Sequence, residues 1–144
     1  MRSVKESLTF FADKVEQEQQ LEFSMCNWYT INLENGYPQN EGKPSEVPNV
    51  CGTSACIAGT VAFALDPKSK NYAEHTCLQW VGCTEDTWLC PTRRCLDRIF
   101  TNPEVYGHEH LEDISKQEVI DALREWAQCS SWEELKDRLN KLIS

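Results

Sequence analysis

Apolar residues recur at helical spacing through most of this chain. From Ser3 to Leu21 the positions Val4, Leu8, Phe11 and Val15 fall on one face behind a Ser3-x-x-Glu6 capping-box pattern, which predicts an amphipathic helix. The pattern then breaks. Phe23, Met25, Trp28 and Tyr29 lead into a polar run carrying Gly36, Pro38, Gly42, Pro44 and Pro48, so an irregular loop is expected over about residues 30–50. The string CGTSACIAGTVAFAL follows, with Thr53 or Ser54 as the expected cap of a helix that runs through Leu65 to the Asp66-Pro67 stop. This helix is apolar all round, and such a helix belongs inside. Its small residues Ala55, Ala58, Gly59 and Ala62 recur at intervals of three and four, and the Ser3–Leu21 and Ser115–Gln128 helices are its expected neighbours.

Four further helices complete the reading. Asn71–Val81 turns Ala73, Cys77, Trp80 and Val81 to one side and ends at Gly82, a residue suited to the left-handed cap. A short helical turn is expected after Thr84, and Pro91 suits the first position of a helix carrying Cys95, Leu96, Ile99 and Phe100. Ser115-x-x-Glu118 and Ser131-x-x-Glu134 open the last two, the second with Leu135, Leu139 and Leu142 inward. No segment shows convincing strand alternation. The expected fold is therefore mainly α: a single compact multi-helix domain around a buried central helix, with one long irregular loop.

Composition narrows the partners. A chain of 144 residues is large enough for one core without metal or disulfides. Its formal charge of −9 repels phosphate backbones and anionic lipid, so nucleic acid and membrane surfaces are not expected partners. A basic protein surface suits it better. No apolar stretch approaches the roughly 20 residues of a membrane span, and MRSVKESLTFF lacks a signal peptide's apolar core, so a soluble cytoplasmic protein is expected. In that setting most of the eight cysteines are expected to be reduced and packed, with metal or redox chemistry as the alternatives.

Candidate chemistry centres on Cys51-Gly52-Thr53-Ser54-Ala55-Cys56. Free N–H groups and the positive end of a helix dipole would converge there. An anionic ligand on the amides of Gly52, Thr53, Ser54 and Ala55 is one expectation, with Trp28, Tyr29 and the loop covering it and Arg93 and Arg94 assisting. A second is a nucleophilic Cys51 or Cys56 with His108 or His110 as base, and a third is a reversible Cys51–Cys56 disulfide. The bland account has Gly52 turning, Thr53 capping and both thiols packing. A zinc site is the remaining alternative: Cys51 and Cys56, and again Cys90 and Cys95, are spaced near the knuckle range, and Cys51, Cys90, His108 and His110 would be its ligands. The expectation is no cofactor. The acidic stretch from Glu104 to Asp113, with two histidines, is a further candidate contact for a basic partner or a weakly bound metal, with a solvated loop as its bland account.

Together, Phe23-x-Met25-x-x-Trp28, the CGTSACIAG string, Trp80-Val81-Gly82 and Leu96-x-x-Ile99-Phe100 resemble a family of small uncharacterised bacterial and bacteriophage proteins with a CGTxxCxAGxA-type signature. The likeness covers roughly residues 4 to 127 and departs at Thr60, where the family commonly has a large aromatic residue or histidine. It implies a bacterial or viral setting. The combined expectation is a non-catalytic binding protein of phage origin that inhibits a host defence or regulatory factor in the host cytoplasm, or sequesters a small anionic, nucleotide-like ligand. The alternatives are a cysteine-dependent hydrolase and a zinc-stabilised interaction module.

Overall fold

The computed structural model describes residues 1–19, 22–25, 30–31, 53–83 and 90–143. These residues are mainly α-helical, as the periodicity predicts. Helix α1 spans Val4–Gln17, capped by Ser3, whose hydroxyl accepts from the Glu6 N–H at 3.1 Å. It buries Val4, Leu8, Phe11, Ala12 and Val15. Helices α2 (Ile57–Leu65), α3 (Ala73–Val81), α4 (Pro91–Thr101), α5 (Lys116–Trp126) and α6 (Trp132–Leu142) follow. Two 3-10 turns, Pro103–Tyr106 and Leu111–Asp113, punctuate the connection from α4 to α5.

Local signals set most of these boundaries. Ser115 and Glu118 form the full reciprocal capping box of α5, Ser131 accepts from the Glu134 N–H, and Pro91 opens α4. Gly82 closes α3 at φ +94, where an L side chain is strained, and a Cβ there would also meet the Met1 Cα at 3.1 Å.

The central helix begins later than its sequence predicts. Thr53–Ala55 is a strand, β3, lying between β1 (Glu22–Phe23) in parallel and β2 (Thr30–Ile31) in antiparallel pairing. Cys56, rather than Thr53 or Ser54, is the N-cap, and the helix starts at Ile57. Its first six residues are all buried. Its main neighbours are α3 and α1; α5 packs on the other side of α1 instead of on α2. That arrangement is reinforced where Arg124 of α5 reaches Asp13 at 3.0 Å and Glu16 at 3.2 Å on α1. Helix α4 packs against α6, and one core formed by α1 to α6 runs through the described residues.

One inward assignment fails and one is met in part, since Trp80 packs against the core from its edge. Leu142 at the end of α6 is 46% exposed. Trp80 is half-buried, lying over Phe10 with ring centroids 4.1 Å apart while the Arg2 guanidinium covers it at 4.3 Å. The turn expected after Thr84 and the loop at 32–50 lie outside the described residues.

Candidate functional site

The α2 entrance collects several of the predicted site residues. Cys51, Gly52, Trp28 and Tyr29 lie outside the described residues. The backbone of Thr53, Ser54 and Ala55 is the middle strand of the small sheet, paired on both edges, and not a helix's open first turn. The helix N-terminus proper is served by Cys56, whose Sγ accepts from the Gly59 N–H at 3.5 Å. Cys56 is 2% exposed, and burial pushes its thiol up from an ordinary 9.0 to about 11. Hydrogen bonding from Gly59 opposes that rise and the Glu74 carboxylate adds to it. Burial and the raised pKa both work against the thiolate that a nucleophile needs, and the sulfur serves as the helix cap. Cys77, which donates to the Ala58 carbonyl at 3.6 Å, is raised well above the ordinary thiol value by burial in the same way.

The potential at this entrance also differs from the expected one. Glu74 of α3 and Asp97 of α4 stand close enough that burial, and for Glu74 also the charge of Asp97, raise their carboxyls above the usual range. Arg93 lowers both and so belongs to this carboxylate pair; Arg94 stands beside it in the first turn of α4, half-buried. Of the pair, Glu74 also acts on the N-cap Cys56, and a carboxylate beside a helix entrance offsets the dipole that would attract an anion.

The two histidines separate. His108 pairs through Nε2 with Glu118, and that hydrogen bond is the main reason the Glu118 carboxyl lies below its usual range. His110 is exposed at the start of the second 3-10 turn. Cys90 caps α4, with its sulfur next to that of Cys83 rather than Cys95. Among the described residues no group of three or more His, Cys, Asp or Glu side chains is arranged to hold a metal ion. No helix among them is long and apolar enough to cross a membrane.

A different surface brings charge and aromatic area together. A groove of about 480 Å³ runs between α5, the first 3-10 turn and α6. Its floor is Tyr106 and Trp126, with ring centroids 5.3 Å apart and planes at 54°. Tyr106 is fixed there by donating its hydroxyl to the Ile99 carbonyl at 2.6 Å, and burial raises its phenol well above the ordinary value. Glu118, Asp121 and Glu125 form the rim, spaced so that one helix face carries all three. Glu118 holds His108, Asp121 accepts from the Gln117 amide at 2.9 Å, and Glu125 holds Arg138. Three carboxylates thus face one guanidinium and one imidazole, and exposed Leu142 extends the apolar floor to the edge.

No family model matches this chain. No curated protein and no solved structure matches it either.

Sequence reasoning named the Glu104–Asp113 stretch as an acidic contact but missed its companion on α5. The spacing of Glu118, Asp121 and Glu125 was available in the chain; the aromatic floor beneath them was not, because Tyr106 and Trp126 come from different elements. A second groove, of about 490 Å³, runs along α1 beside the Phe10–Trp80 stack, with Lys5, Glu6 and Asp13 on its sides. Its charges are mixed and select no partner.

Proposed function

We propose that this protein is a non-catalytic binding module that takes a basic, partly apolar segment of a partner protein into the α5 groove. The observation that carries this reading is the acidic rim over an aromatic floor, formed by Glu118, Asp121 and Glu125 above Tyr106 and Trp126. Trp126, at 3% exposure, backs the groove from the core, so half-buried Tyr106 and exposed Leu142 offer the apolar contact, while rim carboxylates steer an oppositely charged partner and set its register. The existing pairs with His108 and Arg138 are exposed, and such pairs contribute little, so an incoming Lys or Arg can share or replace them. The formal charge of −9 favours the same encounter at long range. With the resemblance to bacterial and phage proteins, a host defence or regulatory factor in the cytoplasm is the partner class, inhibited by occlusion. Sequestration of a small anion at the α2 entrance is less well supported, because Glu74 puts negative charge beside its N-cap Cys56.

The test begins with mass spectrometry of what co-purifies with the full chain, followed by titration of that partner against wild type and Asp121→Lys. Reversing one rim charge about 5 Å from a partner cation in a water-like dielectric costs about 1.5 kcal/mol, or roughly tenfold in Kd. The Asp121→Lys melting temperature should stay close to wild type, since only an exposed side-chain hydrogen bond is lost. Higher salt should weaken the wild-type complex. Chemical conversion of the partner, or equal affinity for the charge-reversed protein, contradicts the proposal.

A further inference from the structure

Three of the buried thiols are each committed to a backbone partner. Cys56 accepts from Gly59, Cys77 donates to Ala58, and Cys95 donates to the Trp132 carbonyl at 3.4 Å. Burial pushes the Cys95 thiol up to about 12, as it raises those of Cys56 and Cys77. Cys83 and Cys90 are placed differently: their sulfurs face one another at 3.6 Å.

We propose that Cys83 and Cys90 are a redox-responsive thiol pair that a peroxide oxidises to an intramolecular disulfide, tying the end of α3 to the start of α4. A disulfide needs its sulfurs about 2.05 Å apart, so they must close by roughly 1.5 Å, a distance that side-chain rotation can supply. Both residues sit at element boundaries, each with helix on one side only. Cys83 comes directly after the left-handed Gly82, and Cys90 directly before Pro91. Cys77 and Cys95, in contrast, lie within helix interiors.

The two ends are already held in place by other contacts. The Arg2 N–H donates to the Val81 carbonyl at 2.7 Å, and the Thr92 hydroxyl donates to the Met1 sulfur at 3.1 Å, so the chain's first residues bridge α3 and α4. A covalent tie would therefore fix an approach the fold already makes. Both thiols are buried, but Cys83 at 7% and Cys90 at 4% exposure lie nearer the surface than Cys77 and Cys95 at 0%, so a small opening exposes them first. A peroxide is small enough for such an opening.

The chemistry balances. One thiolate attacks a peroxide oxygen, an S–O bond forms, the O–O bond breaks, and the departing oxygen leaves as water. The resulting sulfenic acid is attacked at sulfur by the second thiolate; the S–S bond forms, the S–O bond breaks and a second water leaves. The thiols lose two electrons and the peroxide gains them. A dithiol reductant reverses the bond by exchange.

The experiment treats the full chain with a small excess of hydrogen peroxide, alkylates remaining thiols and digests with a protease that cuts after Glu. Cleavage after Glu85 separates the two cysteines, so a bond between them appears as a linked peptide pair. The pair is expected to lie about 2 Da below the sum of its reduced halves and to vanish after dithiothreitol. Cys83→Ser and Cys90→Ser should each abolish it, whereas Cys129→Ser, altering a thiol that is also 7% exposed, should leave it. The linked peptides, residues 75–85 and 86–104, also carry Cys77 and Cys95, so fragmentation of the wild-type pair places the bond, and a serine variant that folds poorly does not obscure that result. Recovery of both cysteines as alkylated thiols, as separate sulfinic or sulfonic acids, or linked to other cysteines overturns the proposal.

Discussion

The state of Cys56 separates a packed thiol from a catalytic one, and alkylation measures it. At about pH 8 a thiol with a pKa of about 11 is ionised to roughly one part in a thousand, against about one in ten at the ordinary 9.0. That is a deficit of about a hundredfold in thiolate. The more basic thiolate is also the better nucleophile, which returns roughly a factor of six to ten, leaving a chemical penalty of about tenfold to fifteenfold. Access is the stronger barrier. With 2% of its surface exposed and its sulfur held by Gly59, Cys56 reacts mainly when α2 opens locally. In the opened state the thiol is solvated and its burial penalty is gone, so an opening of about 3 kcal/mol by itself slows the reaction by more than a hundredfold. Iodoacetamide should therefore modify native Cys56 at least about a hundredfold more slowly than the same residue in guanidinium chloride, followed by mass spectrometry of its peptide. Labelling of the native protein within tenfold of the denatured rate would refute the burial argument and reinstate a cysteine-dependent activity.

Two further outcomes follow from the helices around that thiol. Glu74 is raised above its unfolded value of 4.5, chiefly by burial and then by Asp97, so the native state holds this proton more tightly than the unfolded chain does; its contribution to stability falls as pH rises from 4.5 through the folded value. Glu74→Gln should raise the melting temperature at pH 7 and change it little near pH 4; a lower melting temperature at pH 7 contradicts the assignment. Gly59→Leu adds volume to a helix clamped between α1 and α3 and should destabilise by about 1–3 kcal/mol or more, read as a fall in melting temperature, whereas an unchanged melt rejects close packing at Gly59.

How far the chain announces its own fold depends on how far apart the deciding residues lie. Ser115 and Glu118, Ser131 and Glu134, Gly82 and Pro91 each act on backbone within one helical turn, and each marks the boundary that its type predicts. Strand β3 could not be read this way. It is three residues long and exists through pairing with two-residue strands more than 20 positions earlier, too short for alternation to show. Thr53 and Ser54 carried the better capping chemistry, so the cap was expected there. The backbone is already paired as sheet at that point, and the cap falls to Cys56, whose type is not among the favoured ones. Trp80 was assigned inward on period alone; the face that α3 actually buries contains Ala73, Cys77, Leu78 and Val81, which leaves Trp80 at its edge against Phe10.

The candidate site was less legible because its parts are local only in space. Spacing paired Cys90 with Cys95, since both stand in one short window, yet a helix interior holds Cys95 towards α6 while Cys90, at the cap, turns back to the residue that ends α3. The same holds for charge. A carboxylate on an amphipathic helix is by default a solvated one, and Glu118, Asp121 and Glu125 read that way until Tyr106 and Trp126 are seen under them. The distinction matters because solvated charges attract a partner without holding it, whereas charges around an aromatic floor can do both. A net charge of −9 spread over the surface would give binding that salt abolishes for every basic protein alike. On the proposed reading, the groove, with its fixed Tyr106 and its three carboxylates in register, is the feature among the described residues that would distinguish one basic segment from another.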